Sequence, residues 1–337
     1  MPTTPNDAAT PRRRTTIYDI ARTAGVSAAA VSLALNQPGR LSADSERRIL
    51  AVADELGYRA NPFARAVATG TTQLIGLLVH DSANPVFAGA VRGVTDAAAR
   101  VGYTVVVSDT HDLATPVTTI LERLLPLVDG AVSCSARVTP EALAGVDGTP
   151  IVLVNREVAG RDSVIPDVGA ATRAAIELLV GRGHRDLGFI AGPQDSWLSR
   201  YRLALLEREV AASTARLQVV ASVEPTIDGG REALAQLEGR CTAVLTFNDL
   251  IAFGVLLQAR DRGLRVPEDL SVVGFDDTFA AMLVTPALTT ISTELEPASR
   301  LATVRLLAAL GHPNSDPDAR IEGRLTVRDS VGAGPHR

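Results

Sequence analysis

The chain changes texture at Gly70, and that break constrains its fold more than any single motif. Before it lie short helix signals punctuated by glycines. After it, short apolar runs alternate with longer amphipathic ones, a pattern that calls for parallel sheets covered by helices. Leu74–Val79, Tyr103–Ser108, Gly130–Ser133 and Ile151–Val154 read as buried strands, with helices near Ala88–Val101 and Val117–Leu125. A second set follows, with strands Leu187–Ala191, Leu217–Ala221, Ala243–Thr246 and Ser271–Phe275 and helices near Gly169–Arg182, Leu198–Ala211, Gly229–Glu238 and Asp249–Arg262. Eight strands with a central break predict two doubly wound lobes. The later strands Thr289–Ile291 and Leu325–Arg328 exceed the count of a closed eightfold barrel.

The charge divides at the same place. Residues 1–72 carry nine Arg against six acidic residues, while the rest is acidic enough to bring the formal net charge to -5. All 33 basic residues are Arg, which we attribute to coding bias. No apolar run approaches the roughly 18 residues of a membrane helix, and the first ~15 residues lack a secretory core, so a cytoplasmic chain with no membrane partner is expected. Cys134 and Cys241 have no CxxC partner and read as small buried side chains.

Residues 1–14, ending in Arg12-Arg13-Arg14, read as a disordered basic arm suited to phosphate contact. Thr16 and Asp19 have capping-box spacing and open a helix that Gly25 ends. Ser27 caps a second helix, Ala28 to Asn36, whose inward face is Val31, Ala34 and Leu35. Two short helices joined by a tight Gly turn make a helix-turn-helix, whose second helix is the usual major-groove reader. Ser42 caps a third helix, Ala43 to Leu56, stopped by Gly57. Asn61-Pro62 starts a fourth, of roughly eight residues, too short to stand without a partner chain or DNA.

Thr16-Ile17-Tyr18-Asp19-Ile20-Ala21, Ala24-Gly25-Val26-Ser27, Val31-Ser32, Leu35-Asn36, Glu55-Leu56-Gly57-Tyr58 and Asn61-Pro62 with Ala64-Arg65 resemble the headpiece of the lactose/galactose repressor (LacI/GalR) family. The resemblance continues through Asn84-Pro85, Val128-Asp129-Gly130, Gly183-His184-Arg185, Ala191-Gly192-Pro193, Val266-Pro267-Glu268-Asp269, Val272 to Asp277, and Thr285-Pro286. It implies an α-helical helix-turn-helix headpiece over 15–60 with a hinge helix over 61–72. An α/β periplasmic-binding-protein-like core over 73–337 would follow. Its two doubly wound lobes lie at about 73–165 and 166–290, and a tail from about 291 contributes to both. The resemblance implies DNA contacts at Thr16, Tyr18, Ser27, Ala28, Ala29, Ser32, Leu33, Asn36, Asn61 and Arg65, with Val67 wedged into the minor groove.

This chain departs from the family in places. Ala28, Ala29 and Leu33 stand where base edges are usually hydrogen-bonded, leaving thymine methyl contacts and DNA shape to carry the reading. Val67 is shorter than the usual Leu, and Ala30 replaces a common Thr. In the core, Asn155 stands where an acid is frequent, and Val168 where Asn is common.

Ligands of open α/β sheets sit beyond the carboxyl ends of strands, which makes Asp81, Phe87, Asn155, Arg202, Asn248, Asp249 and Asp276 the effector candidates. Carboxylates and amides accept from hydroxyls, Arg offers a planar fork and Phe87 an apolar face, a set suited to a sugar-like polar metabolite. The resemblance points first to Arg202 and Asp276. Plainer roles stay open: Asp81, Asn248 or Asp249 as a helix cap, Phe87 as core, Arg202 as a partner of Glu207 or of a surface acid. His184, after Gly183, reads as a turn residue.

No GxGxxG, Walker or GxSxG pattern occurs, and the five His lack metal-ligand spacing, so neither an enzyme nor a metal or cofactor is expected. The sequence thus predicts a ligand-responsive repressor that binds a pseudo-palindromic DNA operator as a homodimer. The alternative is a solute-binding sensor whose degenerate headpiece no longer reads sequence.

Overall fold

The structure, a computed structural model, describes residues 15–36, 39–58, 66, 70–111, 115–146, 148–221, 223–237, 239–313 and 319–334. The basic arm, Asn61, Arg65 and Val67 lie outside the described residues. Two compact units divide between Thr72 and Gln73.

In the first unit, α1 (Ile17–Ala24), α2 (Ala28–Asn36) and α3 (Ala43–Glu55) close on Ile20, Val31, Ala34 and Ile49. Asp19 accepts from the Thr16 backbone N–H at 3.0 Å and from its hydroxyl at 2.7 Å, so the first turn is tied at its start. Gly25, at φ 66°, turns the chain into α2, where the Ser27 hydroxyl accepts from Ala30 N–H at 3.2 Å. Fully burying Ile20, Val31 and Ile49 contributes about 1.5–3 kcal/mol each. A core this small depends on every one of them.

In the second unit, β1 (Leu74–Val79), α4 (Phe87–Ala99), β2 (Thr104–Asp109), α5 (Val117–Leu124), β3 (Gly130–Ser133), α6 (Pro140–Leu143), β4 (Ile151–Val154) and β5 (Ser163–Val164) build lobe one. Its sheet runs β2-β1-β3-β4-β5, all parallel. Lobe two comprises α7 (Gly169–Gly181), β6 (Asp186–Ile190), α8 (Trp197–Ala211), β7 (Arg216–Val220), α9 (Ile227–Leu237), β8 (Ala243–Thr246), α10 (Asp249–Asp261), β9 (Ser271–Asp276) and β10 (Thr289–Ser292). After β10, α11 (Leu295–Ala309) packs Ala298, Leu301, Ala302 and Leu306 into the lobe-one core, and β11 (Arg324–Thr326) returns to the lobe-two sheet. That sheet runs β11-β10-β9-β8-β6-β7.

The chain therefore crosses between lobes three times. The first and last crossings are stitched together: Asp167 N–H donates to Ile321 O, and Gly323 N–H to Asp167 O, both at 2.8 Å. At Gly93, a Cβ would strike the Glu296 carbonyl, so a glycine there lets α4 and α11 touch backbone to backbone.

The structure corrects the sequence reading in places. The edge strand β11 is antiparallel to β10, and α11 and the two-residue β5 were not anticipated. Cys241 is only half-buried. His184 is no turn residue but a buried one. Its Nδ1 lies 2.8 Å from Thr242 Oγ1, and its Nε2 lies 3.0 Å from Ser271 Oγ and 3.2 Å from Gly332 O. A carbonyl only accepts, so Nε2 carries the proton and Nδ1 accepts from Thr242. The ring thereby fastens the C-terminal segment to lobe two.

Burial lowers the His184 pKa below its ordinary 6.5, so the unfolded state binds the extra proton. The stability this gives is complete above about pH 6.5 and is lost as pH falls below it. Replacing His184 by Asn should cost about 1–3 kcal/mol in urea unfolding at pH 7.5, and less at pH 5.5. An equal cost at both values would contradict a neutral, buried ring.

Candidate effector cleft and nucleic-acid face

On the headpiece, the inward stripe of α2 leaves Ala29 exposed and Leu33 half-exposed, one turn apart on the other face. Tyr18, at 70% exposure, stands out from the first turn of α1. Thr16 is half-buried and Ser27 exposed. Ala28 is half-buried against the headpiece core, so it offers a groove less than its neighbours do. Ser32 lies on the same helix, half-buried.

In the core, the chemistry gathers at the carboxyl edge of the lobe-two sheet. Arg202, in the second turn of α8, has its guanidinium carbon 4.9 Å from the Phe247 ring centroid and 4.5 Å from that of Phe275. One arm donates to Phe247 O; the other donates to Asp276 Oδ1 at 3.0 Å. The partner is Asp276, at the end of β9, not Glu207. The two side chains are 3% and 8% exposed, so the ion pair is a buried one.

Asp249 lies behind that pair. Its Oδ2 accepts from the Thr278 N–H at 2.8 Å and hydroxyl at 3.1 Å, and its Oδ1 from the Thr290 hydroxyl at 2.6 Å. Gly274 makes room for it, since a Cβ there would strike Oδ1. Burial, reinforced by the neighbouring Asp276 charge, pushes the Asp249 carboxyl up to about 7. Burial also raises Asp276, with Arg202 pulling the other way. Asp249 thus braces the end of β9 from inside. Asn248 caps α10, its Oδ1 accepting from Ile251 N–H at 2.9 Å and its Nδ2 donating to Pro225 O at 3.2 Å.

The remaining candidates belong to lobe one. Asp81 follows β1 and accepts from Ala83 N–H at 2.9 Å. Phe87 opens α4 half-buried against the lobe-one core. Asn155 follows β4 at φ 58°. Asp276 and Asp277 are also at positive φ, 117° and 53°, so strained backbone marks strand ends in both lobes. A cavity of about 590 Å³ joins the lobes, lined by Pro85, Val86 and Arg92 on one side and by Asp276, Asp277 and Phe279 on the other.

Two arginines were not singled out from sequence. Arg156 follows Asn155 and is buried, donating to Ala136 O at 2.7 Å; Arg200 sits on α8 one residue from Tyr201. Neither has a motif. The signal available was only position, at the carboxyl edge of a strand and in the first turn of the helix that follows one.

Removing the charge of Asp276 strands the Arg202 guanidinium in the wall of lobe two. Asp276→Asn is accordingly expected to cost about 3–5 kcal/mol in denaturant unfolding. Unchanged stability would mean the pair is solvated and not structural.

Comparison with known proteins accords with this architecture. The profile described as Bacterial regulatory proteins, lacI family, matches residues 16–61, and that of a Periplasmic binding protein-like domain matches 176–331. The HTH-type transcriptional repressor PurR of Yersinia enterocolitica is 32% identical over 96% of this chain and 98% of its own. A lac repressor dimer bound to operator and the anti-inducer ONPF superposes with a TM-score of 0.83 at 27% identity, covering 95% of this chain and all of that one. The transcriptional regulator CelR in its cellobiose complex superposes at 0.67 with 27% identity over 94% of this chain and all of that one. With a repressor nearly one-third identical from end to end, a matching headpiece and a matching two-lobed core, the chain belongs to the LacI family of bacterial regulatory proteins.

Proposed function

We propose that this chain is a ligand-responsive transcription regulator, a repressor that binds a pseudo-palindromic operator as a homodimer and works in the cytoplasm. The observation that carries this reading is the pairing of a capped helix-turn-helix with a two-lobed core whose ion pair sits at the strand ends. Residues 15–60 would read the major groove and 61–72 act as the hinge helix, with 73–337 sensing the effector. Thr16, Tyr18, Ser27, Ala28, Ala29, Ser32, Leu33, Asn36, Asn61, Arg65 and Val67 are the proposed DNA contacts. Ala29 and Leu33 would meet thymine methyls, with Arg65 on phosphate. In the core, Asp81, Phe87, Asn155, Arg202, Asn248, Asp249 and Asp276 form or brace a site for a sugar-like metabolite. Asn248 and Asp249 act by positioning. The relatives are transcription regulators rather than enzymes. No described helix is long and apolar enough to cross a membrane.

Lobe closure supplies the mechanism. An effector that binds one arrangement of the lobes better than the other shifts their populations, and the three crossings let the lobes move as bodies. For dimerisation, Phe279, Met282 and Leu283 stand 63%, 60% and 71% exposed side by side in lobe two. A second copy is the occupant we assign to this apolar patch, since the superposing lac repressor structure is that of a dimer. The sensor reading draws support from Ala28, which can neither donate nor accept from its side chain and is half-buried.

Selection of duplexes from a random pool by the full-length protein separates the two readings. A recovered palindrome is expected, with half-sites spaced for a two-fold dimer. Leu33→Ala should weaken binding to it by about 1 kcal/mol or more. Leu283→Asp should sediment as a monomer and enrich no palindrome. An unenriched pool with the unaltered protein would favour the sensor.

A further inference from the structure

Lobe two holds a second cavity, of about 550 Å³, between α7 and α8. None of the effector candidates lines it. Arg202 reaches inward to Asp276, whereas Tyr201 and Leu205, one turn apart on the same helix, face this other space. Ile165 and Asp167 bring the first crossing into the wall, and the Asp167 backbone is the one bonded to Ile321 and Gly323 of the last. An occupant would therefore rest on the joint between the lobes.

The wall combines an apolar floor with unused donors. Ile165, Ala170 and Leu205 offer hydrocarbon, and Tyr201 extends it with a ring stacked on Trp197, the centroids 5.1 Å apart and the planes at 11°. Arg173 and Arg208, each with a side chain 60% exposed, are anchored on one buried carboxylate: Glu209 accepts from Arg173 Nε at 3.0 Å and from Arg208 Nε and Nη2 at 2.9 and 2.7 Å. Those bonds hold the Glu209 carboxyl below its ordinary range, so it stays charged and keeps both guanidinia in place. Both Nη groups of Arg173 and Nη1 of Arg208 make no hydrogen bond among the described residues. Neither does the Tyr201 hydroxyl, whose pKa is raised by burial and then by the charge of Asp167, so it remains a donor. Asp167 is the acid of the lining. Its Oδ1 accepts from Gly169 N–H at 2.9 Å, and a Cβ on Gly169 would meet that oxygen at 3.1 Å and Arg208 Nη2 at 3.5 Å, so a carboxylate and a guanidinium converge beside the cavity.

We propose that this cavity is a second small-molecule site, separate from the effector cleft, which takes a carboxylic acid with an apolar body. The carboxylate accepts from the free arms of Arg173 and Arg208, and the body lies on Ile165, Leu205 and the Tyr201 ring. A bare anion would leave that floor uncovered, and a neutral apolar molecule would gain nothing from the guanidinia. An amino acid meets the same donors and adds an ammonium for Asp167. Binding here does not depend on the regulator reading, because no residue of the headpiece or the cleft takes part.

The chain's single tryptophan, Trp197, stacks on the cavity wall through Tyr201 and reports on it. Sodium phenylacetate, L-phenylalanine, phenethylamine and sodium acetate are titrated into the full-length protein at matched ionic strength, following Trp197 emission and Tm. Phenylacetate or L-phenylalanine is expected to give a saturable emission change and a raised Tm in the millimolar range, while phenethylamine and acetate give neither. A tighter response to L-phenylalanine assigns an amino acid held also by Asp167, and a tighter response to phenylacetate assigns a plain acid. Arg173→Gln and Ala170→Phe should each raise the half-saturating concentration at least about tenfold. Ala170 is exposed on α7, so its variant fills the cavity and folds even if loss of the Arg173 bond to Glu209 does not allow it. Arg216→Gln, at an exposed position on β7, should leave the titration unchanged. No saturable response to either acid, an equal response to phenethylamine, or a response that survives Ala170→Phe overturns the proposal.

Discussion

A guanidinium held between two phenyl rings cannot lose its carboxylate without leaving a bare charge inside the protein. The Arg202–Asp276 pair therefore fixes the relative placement of α8, β8 and β9, because Arg202 also donates to Phe247 O and Asp276 ends β9. Asp249 and its three hydroxyl and amide donors brace β9 from behind, through Thr278 and Thr290. The carboxyl edge of lobe two is thus rigid by construction. Whatever gives way when a ligand arrives lies elsewhere.

The crossings are where compliance is available. Asp167 bonds to Ile321 and Gly323, while Ser292 leads directly into α11, which belongs to the lobe-one core. Few backbone hydrogen bonds join rigid bodies at such a place, so rotation about them disturbs neither sheet.

Much of the fold was legible in the sequence because its information is local. Leu74–Val79, Gly130–Ser133, Ile151–Val154 and Ala243–Thr246 are short runs dominated by apolar residues, and they are strands with those limits. The caps at Thr16, Ser27 and Ser42 are short-range hydrogen bonds. By contrast, α11 is preceded by Glu294 in a left-handed conformation whose side chain makes no capping bond, and it carries Pro297 in its first turn, so it sent no start signal. The role of His184 depends on Thr242, Ser271 and Gly332, far along the chain, and no window of sequence contains them. Arg202 and Asp276 were legible as candidates by resemblance, but their burial and their two phenyl rings were not. The buried Arg156 Nε has no hydrogen-bond partner among the described residues, and only three-dimensional packing shows that.

The central claim is that the headpiece and the cleft form one energetic system. Linkage requires that a duplex which binds the headpiece alter the core, as a core ligand alters DNA binding. Hydrogen–deuterium exchange of the full-length protein, with and without a saturating selected duplex, measures this without knowledge of the effector. The account predicts changed protection in the crossings at 165–168 and 291–295 as well as in residues 15–58. Protection confined to the headpiece, with both crossings exchanging as in the free protein, would contradict it.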